Sequence, residues 1–409
     1  KLVPDISLNN TTPLPEVSIE EEDIASIIYT SGTTGFSKGV VLTHKNLVWD
    51  ARQCHTIQPV DETYRFLSIL PMAHTYENTL GLLLPLMYGA QVYYLDRVPT
   101  PKLLVPAMQK IRPTVVLSVP LIIEKIYKSQ VLPKFTGSKW MSKLYQFAPA
   151  RKLFNRLAGK KLMETFGGEL KFFGIGGSKL DGTVEQFLRE AKFPYAIGYG
   201  LTETAPMAAG SNPSQTFLQG VGPVMEGVQI KINDPDNSGQ GEIWIKGPNV
   251  MKGYYKRPEL TAETFTEDGW FKTGDLGSFD KKNRLAIRGR IKTMILGASG
   301  ENIYPEEIES IINNFRFVNE SLVVENSGKL VAMVHFNMEE LEKQYQRLKD
   351  QAGNYKEKIN DYIEEQKQEL RDYVNARVNN FSKLQLVLVQ HEPFEKTPTH
   401  KIKRFLYCK

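Results

Sequence analysis

Cysteine is scarce: Cys54 and Cys408 are the only two in 409 residues and stand far apart. That excludes a disulfide framework and a thiolate metal site, and it favours a reducing, cytoplasmic setting. No uninterrupted apolar run reaches the roughly 18 residues that a membrane-crossing helix needs. A strong charge imbalance is also lacking. The 51 Lys and Arg outnumber the 46 Asp and Glu by five, an excess suited to small polyanionic ligands and too slight for a nucleic-acid-binding surface. Internal repeats and low-complexity tracts are absent, so no solenoid is expected. The first residue is Lys1 rather than Met, and the natural beginning, with any targeting segment, is expected to lie upstream.

What is present is ordinary for a globular protein of two or more domains: 41% hydrophobic and 24% charged residues. Residues 1–22 read as an exposed lead-in. Short apolar runs at 24–29, 91–95, 114–119, 170–175 and 194–197 predict buried strands. Helical patterns at 121–128 and 183–192 lie between them. Such alternation predicts an α/β core with a mainly parallel sheet. Beyond about residue 217, alternating segments at 228–233, 241–246 and 285–288 predict a small β unit. Past Arg290, a strand at 293–296 and a helix at 305–313 follow. The Glu/Lys-rich stretch 338–378 reads as exposed amphipathic helices.

The strongest local signal is Tyr29-Thr30-Ser31-Gly32-Thr33-Thr34-Gly35-Phe36-Ser37-Lys38-Gly39. Its glycines let backbone approach a ligand, while its hydroxyls and amine supply donors to phosphate oxygens. It is not a Walker loop, because no Gly-Lys-Ser/Thr stands at the required spacing. This run resembles the phosphate-binding signature of the adenylate-forming superfamily, which includes acyl-CoA synthetases, luciferases and peptide-synthetase adenylation domains. Further motifs follow in the family's order, from Ile24 to Lys403.

The resemblance implies a set of roles. Thr30, Ser31, Gly32, Thr33, Thr34, Gly35 and Lys38 would cradle phosphates. Gly176, Gly177 and Ser178, within Gly174-Ile175-Gly176-Gly177-Ser178, would line the adenine and acyl pockets. In Gly198-Tyr199-Gly200-Leu201-Thr202-Glu203, Tyr199 would stack on adenine. Thr202 would bond the α-phosphate, and Glu203 would hold Mg²⁺. Asp275, in Trp270-Phe271-Lys272-Thr273-Gly274-Asp275, would take the ribose hydroxyls. Arg290 would reach ribose or phosphate, and Lys292 would be the hinge. Gly297, Ser299 and Gly300 would line a coenzyme A tunnel. Lys401 would be the adenylation lysine, with Lys403 as its competitor for that role. Ser37 and His400 replace residues usual in the family, Pro and Gly.

The implied fold is α/β: a large multi-sheet N-terminal domain with a small β unit (1–289), a hinge (290–293), and a smaller mobile α+β domain (294–409). Members carry many more residues ahead of the phosphate loop than the 28 here, so the large domain is expected to be N-terminally incomplete. The implied activity is a two-step ligation using ATP, Mg²⁺ and coenzyme A. The segment Leu70-Pro71-Met72-Ala73-His74-Thr75-Tyr76-Glu77 resembles the long-chain acyl-CoA synthetase form, which would put His74 at the acyl entrance and makes a fatty acid the expected substrate. An aryl-CoA ligase, a fatty acyl-AMP ligase and a non-catalytic nucleotide-binding fragment stay open. The expected partners are small molecules and no nucleic acid. Peripheral membrane contact and oligomeric state are left open.

Overall fold

The computed structural model describes residues 17–31, 37–97, 99–136, 138–297, 301–348, 355–396 and 402–408. Its centre is a six-stranded sheet in the order Gln91–Tyr94, Arg65–Ser68, Val115–Ser118, Phe172–Ile175, Tyr195–Gly200, Met207–Gly210. The first five strands run parallel and the last is antiparallel. Strand alternation sends successive side chains to opposite faces, and both faces are covered. Phe66, Val115 and Leu117 pack with Leu47, Ala51 and Leu80 on one side. Leu67, Val116 and Phe173 pack with Ile123, Leu162 and Phe187 on the other. Burial on both faces is why the inner strands read as continuous apolar runs, whereas the run at 91–95, expected to be buried, forms the edge strand Gln91–Tyr94, which has no buried residue.

The run at 24–29 departs from the expectation of a buried strand in such a sheet. It forms Ile24–Ser31, which pairs antiparallel with Ser37–Thr43, and that strand pairs in turn with Gly253–Tyr254. Ile24 and Tyr29 are exposed and Ile28 is buried. The phosphate-loop motif therefore sits on a hairpin and not at the end of a parallel strand. A separate four-stranded antiparallel sheet has the order Leu285–Arg290, Phe271–Phe279, Gly241–Lys246, Gln229–Asn233.

After Arg290 the chain makes a short 3₁₀ turn, Ile291–Thr293, and a two-stranded ribbon, Ile295–Leu296 with Asn302–Ile303. The helix Pro305–Asn313 follows, and then a sheet of Val318–Asn326, Lys329–Phe336 and Leu386–Val389. The Glu/Lys-rich stretch is two helices, Met338–Leu348 and Tyr355–Asn375. One face of each is buried: Leu341, Ile363, Leu370 and Val374 join Ile308, Val334 and Phe336 in a core that draws only on residues past 290.

Candidate functional site

The site begins with a cross-strand pair. In the register of the four-stranded sheet, Asp275 faces Arg290, and Arg290 Nε lies 2.9 Å from Asp275 Oδ1. The other oxygen, Oδ2, accepts a hydrogen bond of 2.9 Å from the Tyr199 hydroxyl. Tyr199 comes from the end of the central sheet, so two sheets meet at this carboxylate. Burial, reinforced by the Asp275 charge, pushes the Tyr199 phenol well above its usual range. It therefore stays protonated and donates. The carboxylate is thus gripped at both oxygens, by a guanidinium at one and a phenol at the other.

The strand carrying Tyr199 ends in Gly200, Leu201 and the 3₁₀ turn Thr202–Thr204. Gly200 is a steric requirement: a Cβ there would lie 1.7 Å from the Pro206 carbonyl oxygen. The turn is braced from outside. Leu201 N–H donates to Thr204 Oγ1 at 2.9 Å. Asn249 Nδ2 donates to the Thr204 and Met207 carbonyls at 3.1 and 2.6 Å. Buried Asp50 accepts from Met207 N–H at 3.2 Å. Burial raises the Asp50 carboxyl well above the usual range.

Glu203, half-buried on that turn, accepts from the Tyr254 hydroxyl through Oε1 at 2.9 Å. Tyr254 pairs with Val40 beside the hairpin, and Lys38 Nζ sits 4.9 Å from the Tyr254 ring centroid. The Lys38 ammonium is pulled below its usual range by burial, against the raising effect of Glu203, while Lys292 lowers it further. Arg290 in turn feels Asp275, Tyr199 and Glu203. Lys38, Tyr199, Glu203, Tyr254, Asp275, Arg290 and Lys292 thus share one electrostatic neighbourhood drawn from four separate stretches of sequence.

Other sequence-stated residues lie around it. Thr30 pairs with Lys38 across the hairpin, and Ser31 with Ser37. Gly198 is half-buried, as are Thr202 and Leu201. Gly176 is buried at the C-terminal end of the strand Phe172–Ile175, its N–H donating to the Ser118 carbonyl at 3.2 Å, with Gly177 and Ser178 exposed beyond it. His74 caps a short helix, its Nδ1 accepting from Tyr76 N–H at 3.2 Å. Lys292 is exposed in the 3₁₀ turn. Gly297 N–H donates to the Glu301 carbonyl at 2.8 Å. Gly32, Thr33, Thr34, Gly35, Ser299, Gly300 and Lys401 lie outside the described residues. Lys396 and Ile402, on either side of Lys401, pair with each other.

Three contributors escape the sequence motifs: Tyr254, Asn249 and Asp50. The only signal was the Gly253-Tyr254-Tyr255 sequence, which resembles a turn as readily as a ligand site. For a metal, Glu203 offers a hard oxygen donor of the kind Mg²⁺ takes alongside substrate phosphates, and its half-exposed carboxylate fits that use.

The comparisons with known proteins give the class to which a chain with this site belongs. A family model for AMP-binding enzymes matches residues 3–255, and the chain belongs to that family. Among curated relatives, long-chain-fatty-acid–CoA ligase 1 of Saccharomyces cerevisiae is 32% identical over 337 residues, covering 76% of this chain and 47% of that protein. A chloroplastic long-chain-fatty-acid–[acyl-carrier-protein] ligase of Arabidopsis thaliana is 29% identical over 465 residues, covering 97% of this chain and 61% of the relative. This chain therefore spans roughly half to three-fifths of the length of such relatives. Among solved structures, an ATP-bound RpMatB-BxBclM chimera superposes with a TM-score of 0.73 at 26% identity, over 96% of this chain and 69% of that one. O-succinylbenzoate coenzyme A synthetase (MenE) of Bacillus subtilis, in complex with AMP, gives a TM-score of 0.71 at 24% identity, over 95% of this chain and 70% of that one, a likeness of fold.

Proposed function

We propose that the protein activates a long-chain fatty acid with ATP and transfers the acyl group to coenzyme A. The observation that carries this reading is the convergence of Tyr199, Glu203, Asp275 and Arg290 at one place from distant parts of the chain. The names of the relatives support the acid class.

A carboxylate does not acylate a thiol directly, because oxide is a poor leaving group. In the first half-reaction a carboxylate oxygen attacks the ATP α-phosphorus and pyrophosphate departs, leaving acyl-AMP. Negative charge grows on the phosphate oxygens, so positioned donors and cations lower the barrier. Asp275 holds the ribose diol, with Arg290 beside it. Thr202 donates to the α-phosphate, and Lys38 with the 30–35 hydroxyls and amides faces the departing phosphates. Mg²⁺ at Glu203, when bound, supplies charge neutralisation. Lys401 adds the cation specific to this step. In the second half-reaction the coenzyme A sulfur attacks the acyl carbonyl, loses its proton and expels AMP.

The chain divides, on this reading, into a large unit (1–289), a hinge (290–293) around Lys292 and a small unit (294–409). Rotation about the hinge exchanges Lys401 for the 297–302 segment, with its coenzyme A contacts at Gly297, Ser299 and Gly300. Hinge motion of this kind is common in enzymes with two half-reactions.

The test is pyrophosphate release by the full-length protein with a panel of fatty and aromatic acids, followed by product analysis with coenzyme A or acyl-carrier protein as acceptor. Release only with aromatic acids would reject the fatty-acid reading. Acyl transfer to the carrier protein alone would replace coenzyme A as acceptor. Lys401→Ala should abolish acyl-AMP formation while sparing thioester formation from supplied acyl-AMP.

A further inference from the structure

Residues 138–165 form two helices, Lys139–Gln146 and Ala148–Thr165. Their inner sides are filled. Phe135 stacks on Tyr145 and Phe154 at centroid distances of 4.8 and 5.7 Å. The Tyr145 hydroxyl donates to Asn155 Oδ1 at 2.8 Å. Their outer sides are of a different character. Trp140 and Phe147 are 69% and 62% exposed, and Leu153 and Leu157 are 58% and 57% exposed. The four-residue spacing places Leu153 and Leu157 on one face of the second helix, and Phe147 stands in extended backbone at the junction of the two helices. Four large apolar side chains in solvent on adjoining helices need an apolar partner.

The charge identifies that partner. Seven of the chain's 51 Lys and Arg, but only one of its 46 Asp and Glu, lie within residues 138–165. The rest of the chain is therefore close to neutral, and this pair of helices carries the net positive charge. Arg151 is committed to Glu190 at 2.9 Å. Lys143, Lys152, Arg156, Lys160 and Lys161 are exposed around the leucines. Next to Leu153 an open groove of about 570 Å³ adds Arg189 and Lys192 to Lys152 and Arg156, and its one carboxylate, Glu190, is the partner of Arg151.

We propose that this pair of helices is a docking surface for an anionic phospholipid bilayer. Trp140, Phe147, Leu153 and Leu157 enter the headgroup–acyl boundary, while the surrounding Lys and Arg lie at phosphate height with their alkyl stems along the apolar layer. The groove beside Leu153 takes lipid phosphate. A protein partner would need an acidic rim around an apolar groove, whereas a bilayer of anionic lipids presents both at every point. The surface is independent of the ligase reading, because vesicle binding requires no substrate.

The test is co-sedimentation of the full-length protein with phosphatidylcholine vesicles, with and without about 30% phosphatidylserine, an anionic lipid of the kind that attracts polybasic segments. Binding to the anionic vesicles that weakens with salt is expected. Lys152→Glu/Arg156→Glu/Lys160→Glu should weaken it at least about tenfold, as should Trp140→Ser/Leu153→Ser/Leu157→Ser. Both variants should melt within a few degrees of the parent, since the altered side chains are exposed. Equal binding to neutral and anionic vesicles would overturn the proposal, as would undiminished binding of either variant. So would absence of vesicle binding together with self-association, seen by sedimentation velocity, that the apolar variant removes. The face would then join two copies of this chain.

Discussion

Asp275 is held by a guanidinium on one oxygen and a phenol on the other, and each contact comes from a different sheet. Asp275→Ala would leave Arg290 without its carboxylate and Tyr199 without its acceptor. It should lower stability by about 1–3 kcal/mol in denaturant titrations and weaken ATP binding at least about tenfold in calorimetry, roughly the value of a lost charged hydrogen bond. The motif containing Asp275 was legible because a carboxylate, a turn and a strand fall within a few residues. Its engagement with Tyr199 was not, since 76 residues separate the two. The resemblance assigns the Tyr199 ring to adenine, and the structure adds a contact of its hydroxyl with Asp275. Glu77 offers a second residue-scale test. It is 2% exposed, its Oε2 has no hydrogen-bond partner among the described residues, and burial pushes its carboxyl up to about 7. The folded protein thus keeps a proton that the unfolded chain releases, so stability falls as pH rises from about 4.5 through 7 and the full penalty applies above. Glu77→Gln should flatten that decline. Its unfolding free energy relative to the parent should improve between pH 5 and pH 8 by on the order of 1–3 kcal/mol in urea titrations.

Among the elements, the parallel strands were readable for a physical reason. Strands such as Val115–Ser118, buried at all four positions, leave an uninterrupted apolar signature bounded by turn residues. The same signature misplaced Ile24–Ser31, because an apolar run states that a strand forms and not which sheet receives it. The two helices Met338–Leu348 and Tyr355–Asn375 read as amphipathic from charge and helical spacing, and their apolar stripe of Leu341, Ile363, Leu370 and Val374 closes a core whose other members the pattern does not name. Helix packing adds a requirement that composition hides. In Ala148–Thr165, a Cβ at Gly159 would stand 2.7 Å from both the Cβ and the carbonyl oxygen of Ala191. The helix therefore lies against the end of Gly182–Glu190 at a distance only glycine permits. Gly159→Leu should lower the melting temperature through overpacking of about 1–3 kcal/mol, with ATP binding of the folded fraction unchanged.

Across the whole molecule, the residues past 290 have their own core and touch the remainder through polar contacts. Lys179 pairs with Glu307 at 2.8 Å, and Lys128 Nζ lies 3.4 Å from the carbonyls of Phe315 and Val318. Tyr304 donates to Gln240 Oε1 at 3.2 Å. Contacts of this kind contribute little beyond what water offers each partner. Scanning calorimetry of the chain without ligand should accordingly resolve two transitions, and Lys128→Ala/Lys179→Ala should widen their separation. A single transition that is unmoved by the substitutions would mean tighter coupling than these contacts provide. The hairpin holds a further consequence. Among the described residues, the strand Ile24–Ser31 is bonded on one flank only, and Ile24 and Tyr29 stand in solvent. A ladder with one side unzipped keeps a row of amide donors and carbonyl acceptors available to any extended peptide, including another copy of itself. Raising the concentration should therefore bring on association that Ile24→Lys suppresses, because a cation planted beside that row makes the next rung electrostatically unwelcome.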